Sequence, residues 1–160
     1  MTTPILQLLN VESNYGPVQA LRGVSLSVTE GKIVTVLGAN GAGKTTTLKT
    51  ISGIIDPLKG QVKFRGVDIQ GRSPDAIVRA GIVHVPEGRE VFPLLSVEDN
   101  LRMGAFTRSD ADGVAEDLEA VFGYFPILRE RAKQEAGQLS GASSRCWRSR
   151  AHCSRGPRSS

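Results

Sequence analysis

Residues Gly38-Ala39-Asn40-Gly41-Ala42-Gly43-Lys44-Thr45 spell G-x-x-x-x-G-K-T, a pattern that leaves the local backbone few options. The glycines allow successive backbone N–H groups to turn inward around phosphate oxygens, where a side chain would intrude. An apolar run, Ile33-Val34-Thr35-Val36-Leu37, precedes the loop, and its length and β-branched content predict a buried strand. Thr46-Thr47-Leu48-Lys49-Thr50-Ile51-Ser52 follows as a helical stretch that Gly53 stops. A helix starting at Lys44 adds the positive end of its dipole to the loop. By this chemistry Lys44 reaches the β- and γ-phosphates of a nucleoside triphosphate, and the Thr45 hydroxyl sits on Mg²⁺. The plainer reading is a glycine-rich turn that only joins strand to helix. All eight positions match in the strand–loop–helix context, which favours the phosphate site.

The chain has 160 residues, enough for one domain with a real core. With 39% hydrophobic and 22% charged residues it reads as a soluble globular chain. No apolar run is long enough to cross a bilayer, and no basic segment followed by an apolar one opens the chain. The expectation is a cytoplasmic protein without a secretion signal. The net charge is +4 and the pI about 9.4. Five arginines (Arg145, Arg148, Arg150, Arg155 and Arg158) lie beyond Gly141 with no acid among them, leaving fifteen basic against sixteen acidic residues in 1–141. A body so close to neutral gives no support for nucleic-acid binding. Cys146, Cys153 and Trp147 also fall in that tail, so disulfide and thiolate–metal arguments do not apply to residues 1–141.

Along the chain, Ile5 to Val11 and Ala20 to Val28 read as strands on either side of the turn Asn14-Tyr15-Gly16-Pro17. Gln61 to Phe64 and Val67 to Ile69 flank Arg65-Gly66 as a hairpin. Ser73-Pro74 opens a helix that Gly81 closes. Ile82-Val83-His84-Val85 predicts a short strand, with His84 packed inside it rather than acting as a ligand. Ser96 to Leu101 resembles a capping box. Val114, Leu118, Val121, Phe122 and Phe125 recur at spacings of three and four, marking an amphipathic helix from Asp110.

Three further features narrow the choice among phosphate-loop proteins. Tyr15 stands between two strands ahead of the loop, Val85-Pro86-Glu87 follows it, and Leu139-Ser140-Gly141 closes a helical insertion. In this order the chain resembles, from Ile5 to Gly141, the ATP-binding subunit of an ABC transporter. The stretch from Val85 to Leu101, with Glu87 where most relatives carry Gln, is similar to the branched-chain amino acid importers. The resemblance implies an α/β fold, a P-loop NTPase of the ABC ATPase type. Its parts are an N-terminal antiparallel β portion, a parallel core and a helical subdomain over about 96–137, with the C-terminal portion missing.

It implies ATP and Mg²⁺ as ligands. Gly38, Ala39, Asn40, Gly41, Ala42, Gly43, Lys44, Thr45 and Thr46 would hold the phosphates, Tyr15 would stack on adenine, and Glu87 would join Thr45 at the metal. Plainer readings stand beside these: an aromatic at a strand end for Tyr15, a solvated carboxylate for Glu87, a turn residue for Asn40. The implied partners are a second ATP-binding subunit, transmembrane permease subunits and, indirectly, a periplasmic binding protein. The assembled chain would lie on the inner face of the plasma membrane. Phe92, Leu94 and Leu95 read either as contacts to the permease or as core.

The resemblance breaks after Gly141. Where the family continues with Gly, an acidic or amide residue, and Gln, this chain has Ala142-Ser143-Ser144-Arg145-Cys146-Trp147. The signature helix, the metal-binding Asp of the next strand and the water-activating Glu are absent, so the chain alone is expected to be inactive. Writing Ala142 to Ala151 as GCG AGC AGC AGA TGC TGG CGA TCG CGC GCN and regrouping from the last G of the first codon gives Glu-Gln-Gln-Met-Leu-Ala-Ile-Ala-Arg. That is the peptide the signature helix should contain. In this frame Cys146–Trp147 and His152–Cys153 force Leu, and Trp147–Arg148 allows only Ala or Glu. The expectation is therefore the loss of one base near the Gly141 codon, making 142–160 a non-native, disordered tail. The rival reading is a genuine Arg-rich tail that binds RNA or anionic lipid.

Overall fold

The computed structural model describes residues 4–88 and 91–139. Ser140, Gly141 and the tail from 142 to 160 lie outside the described residues. The chain divides between His84 and Val85 into two compact units.

The first unit is built on a four-stranded antiparallel sheet of order β2-β1-β3-β4. Its strands are β1 (Pro4–Tyr15), β2 (Val18–Thr29), β3 (Lys59–Phe64) and β4 (Val67–Asp68). The Gly16–Pro17 turn folds β2 back on β1, pairing Leu8 with Leu26 and Tyr15 with Val18. On the other edge of β1, Leu6 pairs with Phe64 and Leu8 with Val62. One face of this sheet carries Leu8, Val11, Leu21 and Val62, which pack with Ile51 and Ile69 as a core. Helix α1 (Lys44–Ile51) rests on that face. Ser13 ties the two layers: its hydroxyl lies 3.2 Å from Thr50 Oγ1. Thr50's own proton goes to the Thr46 carbonyl, so Ser13 is the donor. Helix α2 (Pro74–Ala80) starts at Ser73 and ends at Gly81 in the left-handed region (φ 107°), as the Ser-Pro and Gly signals predict.

Two expected strands are not there. Residues 33–37 and 82–85 run without a ladder partner among the described residues. Ile33 is 96% and Leu37 87% exposed. The parallel core that the resemblance implied is therefore not formed as a sheet within the described residues. The reason is general: an extended chain becomes a strand only when a neighbour satisfies its N–H and C=O groups. His84, placed inside a strand by its sequence neighbours, instead lies half-buried on an unpaired segment.

The second unit is helical: α3 (Val97–Met103), α4 (Ala111–Tyr124), α5 (Pro126–Glu130) and a 3-10 turn (Ala136–Gln138). Val97, Leu101, Phe122, Leu128 and Leu139 form its core, with Leu118, Val121 and Phe125 packed around them. Ser96 caps α3 by accepting from the Asp99 N–H. Arg108 is gripped by Asp110 and Asp117 at the entry to α4. The Arg108 guanidinium bonded to Asp110 holds that carboxyl below its ordinary range.

Candidate nucleotide-binding site

The loop before α1 is formed as its sequence requires. Gly41 and Gly43 adopt φ of 84° and 86°, a region that side-chain-bearing residues rarely occupy. At Gly43, the N-cap of α1, a Cβ would stand 2.7 Å from Leu21 Cδ2 and 3.1 Å from the Ala20 carbonyl oxygen. This glycine seats the start of the helix against β2. A Cβ at Gly41 would meet nothing within 4 Å, so this turn of the loop is open. No side chain caps α1 and its first turn carries no acid. The first-turn N–H groups of Lys44, Thr45 and Thr46 thus remain available to an anion.

The three threonines divide by environment. Thr46 and Thr47 are buried, and Thr47 Oγ1 donates back to the Gly43 carbonyl at 2.9 Å. Thr45 is exposed, leaving its hydroxyl on the open side. Lys44 curls over the loop and donates from Nζ to the carbonyl oxygens of Gly38 and Ala39, both at 2.7 Å. An ammonium held only by neutral carbonyls keeps its full charge for a better acceptor, and phosphate oxygens are better acceptors. The open turn at Gly41, the uncapped N–H groups and this lysine fit a polyphosphate.

The other expected residues are placed as follows. Tyr15 ends β1 with 46% of its surface exposed, two residues beyond the Ser13 that is bonded to α1. Asn40 is exposed in the loop, and the Ala42 N–H closes the turn around it onto the Ala39 carbonyl at 3.1 Å. Glu87 belongs to the second unit, where it is exposed on a bend. Phe92, Leu94 and Leu95 are exposed, Leu94 at 82%, so they are not core.

One residue that the sequence reading passed over holds this last segment. Asn100 is buried in α3; its Oδ1 accepts the Phe92 N–H at 2.9 Å, and the two protons of its Nδ2 are shared among the carbonyls of Phe92 and Ser96 at 2.9 Å and of Leu95 at 3.3 Å. The signal was present: an amide on the buried Val97–Leu101 stripe must find polar partners.

The ABC transporter family model matches residues 21–148. This chain belongs to the ABC transporter family. It is 43% identical over 137 residues to the high-affinity branched-chain amino acid transport ATP-binding protein BraG of Pseudomonas aeruginosa, covering 86% of this chain and 58% of that one. It is 34% identical, with the same coverage, to the probable branched-chain amino acid transport ATP-binding protein LivF of Archaeoglobus fulgidus. A ribose import ATP-binding protein of a Ruegeria species is 35% identical over 74% of this chain and 24% of its own. Among solved structures, an ABC transporter ATP-binding cassette in its ADP conformation superposes with a TM-score of 0.74 at 28% identity, over 94% of this chain and 65% of that one. The fold is that of an ABC ATPase cassette, and the chain spans somewhat over half the length of the two branched-chain relatives.

Proposed function

We propose that this chain holds ATP and Mg²⁺ as the nucleotide-binding portion of an ATPase subunit that powers import of branched-chain amino acids. The observation that carries the reading is the loop at 38–45 with Lys44 folded onto its own carbonyls, in a chain 43% identical to a branched-chain importer subunit. Lys44 exchanges the Gly38 and Ala39 carbonyls for β- and γ-phosphate oxygens. The N–H groups of Gly41 to Thr46 would line the phosphates, the exposed Thr45 hydroxyl would hold the metal, and the Glu87 carboxylate would supply it a further oxygen. The half-exposed Tyr15 ring offers a face to adenine, worth about 1–3 kcal/mol. Bound triphosphate supplies the hydrolysable γ-phosphoryl bond; the residues here bind and orient it.

Turnover, on this reading, belongs to a pair of ATP-binding subunits seated on permease subunits at the inner membrane face, with a periplasmic binding protein delivering cargo. Among the described residues no helix is long and apolar enough to cross a membrane. The exposed Phe92, Leu94 and Leu95 suit an apolar contact with the permease. Residues 1–141 form the partial cassette, with the helical part at about 96–137 and the tail after Gly141 outside it. The purified chain is expected to release no phosphate from ATP above background. A release rate that Lys44→Ala abolishes would contradict this.

The substrate assignment is tested in cells by deleting the gene and following uptake of labelled leucine, isoleucine and valine beside ribose. Loss of the branched-chain uptake alone is expected. Unchanged uptake of all three amino acids, or loss of ribose uptake instead, would overturn it.

A further inference from the structure

Helix α1 meets the sheet largely through hydroxyls. Of its buried residues, Thr46, Thr47 and Thr50 carry one each and only Ile51 is aliphatic. Apolar contact is non-directional and would let a helix slide or turn on the sheet, whereas hydrogen bonds between fixed partners hold it at one setting. Thr47 uses its proton inside the helix, on the Gly43 carbonyl. Thr50 gives its own to the Thr46 carbonyl at 2.9 Å and accepts from Ser13, which is wholly buried on β1. A chain of bonds therefore runs from β1 through Thr50 to Thr46, in the first turn of the helix.

Ser13 pairs across the sheet with Leu21, the side chain on which Gly43 is seated. One rung of the sheet thus meets α1 twice, by close packing at its N-cap and by a hydrogen bond at Thr50. The next rung pairs Asn14 with Gln19, so the extra residue here, Ala20, lies on β2 and the alternation of β1 is kept. Tyr15 therefore stands on the same side of β1 as Ser13, about 7 Å further on. Apart from Ser13, α1 keeps its seat on β2 at Gly43. Its buried C-cap Ser52 also donates to the Lys49 carbonyl at 3.2 Å and lies 3.3 Å from His84 Nδ1. The Ser13 bond is the tie from α1 to β1 itself. We infer that Ser13 is a positioning residue: through Thr50 it sets the Tyr15 ring against the first-turn N–H groups of α1, matching the site to a ligand that carries a base as well as phosphates. The inference rests on the proposed function for the adenine and phosphate contacts, and adds the residue that fixes their spacing.

Titration calorimetry of the full 160-residue chain with Mg-ATP and with Mg-tripolyphosphate, which has phosphates and no base, tests this. Ser13→Ala should weaken Mg-ATP binding about fivefold or more, the lower end of what a base–aromatic stack is worth, and leave tripolyphosphate affinity within about twofold. Adding Thr50→Val removes both polar partners at nearly the same shape, which spares the fold, and should give the same split. Thr50→Ser, which retains the hydroxyl, should bind both ligands as the unsubstituted chain does. In a Tyr15→Ala background, Ser13→Ala should cost ATP nothing further. Equal weakening of both ligands, in Ser13→Ala and in the double variant alike, would make the bond a support of the fold only and overturn the inference. Unchanged ATP affinity in Ser13→Ala, or full additivity with Tyr15→Ala, would overturn it as well, and each of these results leaves the Lys44 site standing. Failure of the unsubstituted chain to bind ATP would contradict the proposed function and take the inference with it.

Discussion

Strand β1 and the segment 33–37 both carry apolar, strand-favouring residues of the first unit, yet they end in opposite environments. β1 has a ladder on each side, from β2 and β3, and puts Leu8 and Val11 wholly out of solvent. Residues 33–37, richer in β-branched side chains, have no ladder among the described residues and leave Ile33 and Leu37 almost fully exposed. Intrinsic preference is the same or better in the second case, so preference does not decide. What decides is whether a hairpin supplies the partner: β2 follows β1 after a two-residue turn, and β3 returns to its other edge. The phosphate loop nonetheless forms, because it is anchored at its far end. Gly43 packs on β2 and Ser13 bonds to Thr50, so α1 takes its position from the antiparallel sheet.

This contrast can be broken most directly at the core. Leu8→Ala is expected to cost about 2–5 kcal/mol in denaturant unfolding, whereas Ile33→Ala should stay within about 0.5 kcal/mol. Comparable losses at the two sites would mean that 33–37 is buried and paired in solution, contrary to the account. A smaller effect is expected in the second unit. Asn100→Ala strips the polar partners from the 92–96 turn and should cost about 1–3 kcal/mol, while Leu94→Ala, three-quarters or more exposed, should leave the unfolding midpoint nearly unchanged. If Asn100→Ala were as silent as Leu94→Ala, the turn would be held by something other than the amide.

The same contrast explains what could be read in advance. Signals that act within a few residues were legible: the glycines around Lys44, the Ser73-Pro74 start and Gly81 stop of α2, the Ser96 cap, and the three-four spacing of α4. The helix begins at Lys44, where the motif puts it. Interactions between distant residues were not legible, because no local spacing announces them. Ser13 and Thr50 are 37 residues apart, Ser52 and His84 are 32 apart, and the missing ladders at 33–37 and 82–85 depend on strands that the described residues do not supply. His84 is the instructive case. Its apolar neighbours suggested a strand and a packed ring, and the structure gives it a polar partner at a helix end instead. Of the candidate site, the loop residues were read from their own motif, while Tyr15 and Glu87 rested on resemblance.

The central claim is that the loop at 38–45 is a triphosphate site centred on Lys44, carried by an antiparallel scaffold that suffices to shape it. Equilibrium titration of the purified chain with ATP, in the presence of Mg²⁺, tests it against Lys44→Ala. Saturable, Mg²⁺-dependent binding that weakens about tenfold or more in the variant is the expected result, since a charge-assisted contact is worth about 1.5–3 kcal/mol. No binding by the unsubstituted chain, or equal binding by both, would contradict it.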